Sequence, residues 1–213
     1  MLKKISYMTA GESHGKGLIG IIEGIPAGMN ITEEYIEKDL LRRMQGHGRG
    51  GRMKIEKDHA EIFSGVRHAV TLGSPISLLI KNFDWVNWED RMATGKPKKE
   101  HRKVSMPRPG HADLAGVMKY GLDDIRNVLE RSSARETAMR VAIGAVCRKL
   151  LEEVGITVGS RVYQIHNIVD DTPVSNNMSL KELNDTVDVS PVRCFDKDAE
   201  KKMMDVIDEA RNN

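Results

Sequence analysis

Cysteine is nearly absent: the 213 residues hold two, Cys147 and Cys194, with neither the number nor the spacing of a disulfide framework or a zinc site. No metal is expected, and a cytoplasmic residence follows. Long apolar runs are missing too. Nothing approaches the ~20 residues that cross a bilayer. Met1-Leu2-Lys3-Lys4 leads into only a few apolar residues before Gly11-Glu12-Ser13-His14, so neither a membrane span nor a signal peptide is expected. Charge is balanced, 33 Lys+Arg against 31 Asp+Glu, and a net +2 argues against a general nucleic-acid or membrane-surface binder. Repeats and low-complexity segments are lacking. The 39% hydrophobic content over this length supports a sizeable core, read as a single domain over residues 1–213.

What is present concentrates between Ser105 and Gly144. Ser133 followed by Glu136 has the spacing of a capping box, and Ala138, Val141, Ala142, Ala145, Val146, Leu150 and Leu151 then recur at helical spacing. A helix beginning at Ser133 exposes unpaired N–H groups and a positive dipole end between Arg131 and Arg135, a place that suits an anion. An ordinary N-cap with solvated arginines reads equally well from the same residues. Just upstream, Arg108-Pro109-Gly110-His111-Ala112-Asp113 sets a histidine on a stiff turn beside another arginine.

Along the chain, Ile5–Ala10 and Gly17–Gly24 read as strands bracketing a glycine-flanked turn that carries Ser13 and His14. An imidazole there can exchange a proton near neutrality. Thr32 caps a helix with Glu33 and Glu34 in its first turn, Arg42 and Arg43 in its last, and a buried stripe of Ile36, Leu40, Leu41 and Met44. From Leu41 to Ile55 no acidic residue occurs, and glycines alternate with Arg43, Arg49 and Arg52. Such backbone can converge N–H groups on a small polyanion while the arginines add forked contacts. An RNA-binding segment and a simple mobile loop compete with that reading, although the stretch lacks the interleaved aromatics of RNA binders and the pattern of a P-loop.

Glu61–Val66 and Ile76–Ile80 read as antiparallel strands, and Asp84–Lys103 as a long surface loop, either a lid or a solvated connector, with His101 solvated. After the long helix stops at Gly155, Ile156–Val169 returns to strand, Ser179 caps a short helix, Val189–Phe195 forms a strand, and a last helix buries Ala199, Met203, Val206 and Ile207.

GESHG at Gly11–Gly15, GHGRGGRMKIE at Gly46–Glu56, RPGHAD at Arg108–Asp113 and ERSSARETAMRVAIGA at Glu130–Ala145 together resemble chorismate synthase, in collinear order over nearly the whole chain. The resemblance implies an α+β fold, a β-α-β sandwich with a helical layer between antiparallel sheets, and a cytoplasmic homotetramer. It implies a lyase of the shikimate pathway to the aromatic amino acids. The reaction is an anti-1,4 elimination of phosphate from 5-enolpyruvylshikimate 3-phosphate that requires reduced FMN, with NADPH where the enzyme reduces its own flavin. It assigns His14 to the departing phosphate and His111 to the flavin's charge as catalytic residues. Arg43, Arg49, Arg52, Arg108 and Arg135 fall on substrate-binding positions, some of them assigned elsewhere to NADPH. Arg131, Ser132, Ser133 and Ala134 fall on a flavin-contacting segment. The family's chain continues past residue 213, so the fold is expected to be incomplete at its C-terminus with an unfinished flavin pocket. The alternative is a truncated, non-catalytic anion-binding remnant, or a subunit partner of a separate C-terminal half.

Overall fold

A computed structural model describes residues 4–49 and 57–212. The chain gathers into two compact units, Met1–Leu40 with Lys54–Val146 and Leu41–Met53 with Cys147–Asn213. Both mix helices with antiparallel strands, an α+β organisation.

The first unit is built on one antiparallel sheet. Strands β1 (Ser6–Gly11), β2 (Gly17–Glu23), β3 (Glu61–Ser64) and β6 (Ile76–Lys81) lie in the order β1-β2-β6-β3. Alternation fixes which side is inside: Leu18, Ile22, Ile76, Leu78 and Ile80 are buried, while Ile19 and Ile21 between them are exposed. Gly20 sits on the inner face because a Cβ there would meet the Met139 sulfur at 2.5 Å and Ile143 at 2.8 Å. Those two belong to α4 (Thr137–Glu153), whose small residues Ala138, Ala142 and Ala145 are also buried. Helix α1 (Glu33–Met44) begins as expected, with the Tyr35 N–H donating to Thr32 Oγ1 at 3.3 Å, and it buries Ile36 and Leu40. Leu41, expected in that stripe, is 48% exposed. The strand read over Glu61–Val66 breaks at Gly65, after which β4 (Val66–Arg67) and β5 (Val70–Thr71) make a separate hairpin. Two short helices complete the unit, α2 (Asp113–Tyr120) and α3 (Arg126–Leu129).

Ser133 does start the long helical segment, but not as a capping box. Its hydroxyl accepts the Arg135 N–H at 3.3 Å and opens a 3-10 turn, Ala134–Glu136, ahead of α4. Glu136 cannot reach back to close the box, because its carboxylate is taken by Thr9 Oγ1 at 2.6 Å and Arg140 Nε at 2.7 Å.

The second unit packs Val192, Cys194, Ala199 and Met203 into a small core with Ile165, Ile168, Met204 and Ile207. Helix α5 (Leu180–Asp188) carries the full capping box of Ser179 and Glu182, and α6 (Lys197–Asn212) supplies Ala199 and Met203. Two strand expectations fail here. Of Ile156–Val169 only the hairpin β7 (Gln164–Ile165) and β8 (Ile168–Val169) is extended pairing. Val189–Phe195 is a turn: Ser190 Oγ captures the N–H groups of Val192 and Cys194, each at 3.3 Å, Pro191 has no N–H to give, and Arg193 is left-handed at φ 57°. Among the described residues no helix is long and apolar enough to cross a membrane.

Candidate active site

The turn between β1 and β2 is held from three directions. Gly11, at φ 111°, lets the chain leave β1 where a Cβ would strike the Gly17 carbonyl at 2.4 Å. Asn82, the first residue past β6, then donates its amide to the carbonyls of Gly15 at 2.7 Å, Glu12 at 3.1 Å and Ser13 at 3.2 Å. The end of α3 supplies the third hold: the Glu130 carbonyl accepts the Ser13 N–H at 2.9 Å, and its carboxylate accepts the His14 N–H at 2.9 Å.

The same carboxylate meets the His14 ring, with Nδ1 at 2.9 and 3.1 Å from its two oxygens. Glu130 is buried, and Arg126 Nη1 donates to it at 3.0 Å. Trp88 stacks on the imidazole, ring centroids 3.8 Å apart at 26°. The segment read as a surface loop therefore delivers an aromatic wall to His14. That segment closes on itself through Asp90, which takes the N–H groups of Lys98 and Lys99 and the Nε2 of His101 at 2.8 Å, so His101 is half-buried rather than solvated.

His111 repeats the pattern. Its Nδ1 lies 2.5 Å from Asp113 Oδ1, and Asp113, fully buried, also accepts from Arg108 Nε at 2.9 Å and the Arg108 N–H at 3.0 Å. The Arg108 hydrogen bond, helped by its main-chain N–H and by His111 and opposed by burial, holds the Asp113 carboxyl far below the usual carboxylate range. Arg108 is itself raised, chiefly by its hydrogen bond to Asp113, with burial opposing.

Arg135 is only 6% exposed. Its Nη1 pairs with buried Asp58 and its Nε donates to Asn82 Oδ1 at 3.1 Å, so its guanidinium braces the turn that carries His14. Arg131 Nη2 donates to the Thr9 carbonyl at 3.0 Å and to Thr9 Oγ1 at 2.9 Å. Its Nη1 is buried without a hydrogen bond, 3.5 Å from Glu136. Burial alone would raise the Glu136 carboxyl, yet hydrogen bonds from Thr9 and Arg140 outweigh it and keep the group below its ordinary value. Beside Arg131, Ser132 and Ala134 are exposed and Ser133 is half-buried.

The second unit contains a separate cleft of about 950 Å³, lined by Arg42, Gln45–Arg49, the 188–193 turn, Val162, Ile165 and Ile207. Arg49 lines it, with Nε on the Gln45 carbonyl at 3.0 Å. Arg42 lines it, pairing with Asp188 at 2.8 Å, and Arg43 stands half-buried in the last turn of α1. Arg52 lies outside the described residues.

The sequence model of the family described as chorismate synthase matches residues 5–213. The chain belongs to the chorismate synthase family. It is 53% identical over 210 residues to the chorismate synthase of Geobacillus sp. (strain WCH70), covering 97% of this chain and 54% of that one. It is 54% identical over 212 residues to the chorismate synthase of Bacillus subtilis (strain 168), with the same coverage. A solved structure, "Crystal Structure of Chorismate Synthase", superimposes with a TM-score of 0.75 at 39% identity, covering all of this chain and 55% of the other. The chain thus spans about half the length of the curated relatives it matches. Glu130, Asn82, Asp58 and Trp88 hold the His14 turn and ring, and none of them was a candidate site residue from the sequence.

Proposed function

We propose that this chain carries the proton-handling part of a chorismate synthase: elimination of phosphate from 5-enolpyruvylshikimate 3-phosphate to give chorismate, with reduced FMN, on the route to the aromatic amino acids. The observation that carries the reading is the pair of histidines, His14 and His111, each half-buried and each tied through Nδ1 to a fully buried carboxylate. Incidental surface histidines do not need such anchors, whereas a proton donor must be held within reach of the atom it serves. In this reading His14 gives a proton to the departing phosphate oxygen as the allylic C–O bond breaks, so that inorganic phosphate leaves with less charge. His111 sets the ionisation of the reduced flavin. Arg108 offers its guanidinium group to the substrate's carboxylates or phosphate. Arg135 serves by bracing the His14 turn.

Arg131, Ser132, Ser133 and Ala134 would hold the flavin. They fit an anionic or hydrogen-bond-accepting group, since Arg131 Nη1 is a buried donor without a hydrogen bond and two hydroxyls stand next to it at the start of a helical segment. Reduced FMN supplies the electron-rich ring system on which the family's elimination depends. NADPH enters only if the enzyme reduces its own flavin, and a homotetramer is the assembly that this reading carries.

The test mixes this chain with the remaining portion of a relative's chain, adds photoreduced FMN without oxygen, and follows chorismate by absorbance. Chorismate formation that needs both parts is expected. Flavin-loaded mixtures that form none would overturn the reading and favour a non-catalytic remnant.

A further inference from the structure

We propose that Glu130 is the positioning residue of His14: it fixes the ring's tautomer and orientation so that Nε2 is the nitrogen that delivers the proton. The catalytic half of this statement rests on the reading of His14 given above, while the tautomer half stands on the geometry alone.

Glu130 is 2% exposed, and its two oxygens gather three donors, the His14 N–H, His14 Nδ1 and Arg126 Nη1, all between 2.9 and 3.1 Å. An ionised carboxylate only accepts hydrogen bonds. Nδ1 must therefore carry the proton that joins ring to carboxylate, and a neutral His14 is the Nδ1–H tautomer with Nε2 as its basic nitrogen. The bond to the main-chain N–H already anchors the turn. The ring contact fixes which nitrogen faces away from the carboxylate.

Orientation is set from a second side. Trp88 lies against the imidazole face, and Arg126, which pairs with Glu130, also stands over the Trp88 ring at 5.3 Å. One arginine thus links the acid that grips the edge of the imidazole to the aromatic ring that covers its face. A ring stacked on one face and a carboxylate on one edge together restrict the imidazole's rotation.

Two measurements decide the matter. Long-range proton–nitrogen NMR on the ¹⁵N-labelled chain reads the tautomer directly: neutral His14 is expected to carry its proton on Nδ1, and a ring protonated on Nε2 overturns the proposal without any variant. In the flavin-loaded enzyme completed with a relative's remaining portion, Glu130→Gln is expected to redistribute the tautomers and to lower kcat by about 10²–10⁴-fold with a far smaller change in KM, and Glu130→Asp to recover part of the loss. A Glu130→Gln enzyme that keeps wild-type kcat while its tautomers redistribute removes the positioning role. If the wild-type mixture forms no chorismate, the proposed reaction fails, and the NMR result still decides whether Glu130 sets the His14 tautomer.

Discussion

The two units hold the charge around the His14 turn and around the cleft differently. In the first, the carboxylates that matter are buried: Glu130, Asp113 and Asp58 have side chains no more than 1% exposed, and each is joined to an arginine, a histidine or both. In the second, the pairs around the cleft are open to water, with Arg42–Asp188 at 36% and 25% and His47–Asp208 at 26% and 53%. Asp170, a buried acid of that unit away from the cleft, lies 3.6 Å from Arg161 Nη1 and accepts main-chain N–H groups of Thr172, Phe195 and Asp196, which ties loops together. A buried charge tolerates no slack, because any displacement strands it away from water and partner alike. Side chains fastened to such charges are fixed before a ligand arrives, as proton transfer requires. Solvated arginines can re-aim, which suits the capture of a charged ligand.

The contrast breaks most visibly at Asp58. Asp58→Asn takes the Asp58 charge away from the buried Arg135 guanidinium, and a loss of about 3–5 kcal/mol in unfolding free energy is expected from urea denaturation. A loss below about 1 kcal/mol would mean that the first unit is as tolerant as the second.

Asp113→Asn sharpens the comparison through pH. The expected loss at neutral pH is about 2–3 kcal/mol, less than for a fully buried pair because Arg108 is half exposed. The folded protein holds the Asp113 carboxyl below its ordinary value of 3.8. Its contribution is therefore complete above that value and declines as pH falls below it, where the unfolded chain binds the proton first. The stability gap between wild type and variant should narrow in denaturation curves taken below pH 4, and a gap independent of pH would separate Asp113 from the ion pair.

The smallest effect is expected in the second unit. Asp188 joins Arg42 and Arg193, both at 2.8 Å, but all three are partly exposed. Asp188→Ala should cost about 1 kcal/mol or less and become weaker still in high salt.

Much of this was legible where the chemistry is local. Thr32, Ser179, and the strands read over Gly17–Gly24 and Ile76–Ile80 declare their structure within a few residues, because caps and β-branched runs are short-range signals. Val189–Phe195 misled because its apolar residues suit a strand, while one hydroxyl, that of Ser190, took the N–H groups a strand would need. Glu136 misled for the opposite reason: the capping-box spacing was present, yet Thr9, 127 residues away in the chain, claimed the carboxylate. The partners that hold the candidate site are of the same kind. Glu130 reaches His14 across 116 residues and Asp58 reaches Arg135 across 77, and no local pattern announces either. The motif glycines, histidines and arginines could be read directly; the residues that aim them could not.

The most direct test of the account compares His14→Ala with His111→Ala in the flavin-loaded, completed enzyme, by titrating the absorbance of the bound reduced flavin with pH and measuring turnover on the same samples. His14→Ala should slow turnover by about 10²–10⁴-fold and leave the flavin titration unchanged, whereas His111→Ala should slow turnover and move the titration as well. A His111→Ala titration that overlays the wild type, or a His14→Ala enzyme with wild-type turnover, would contradict the division of labour assigned to the two anchored histidines.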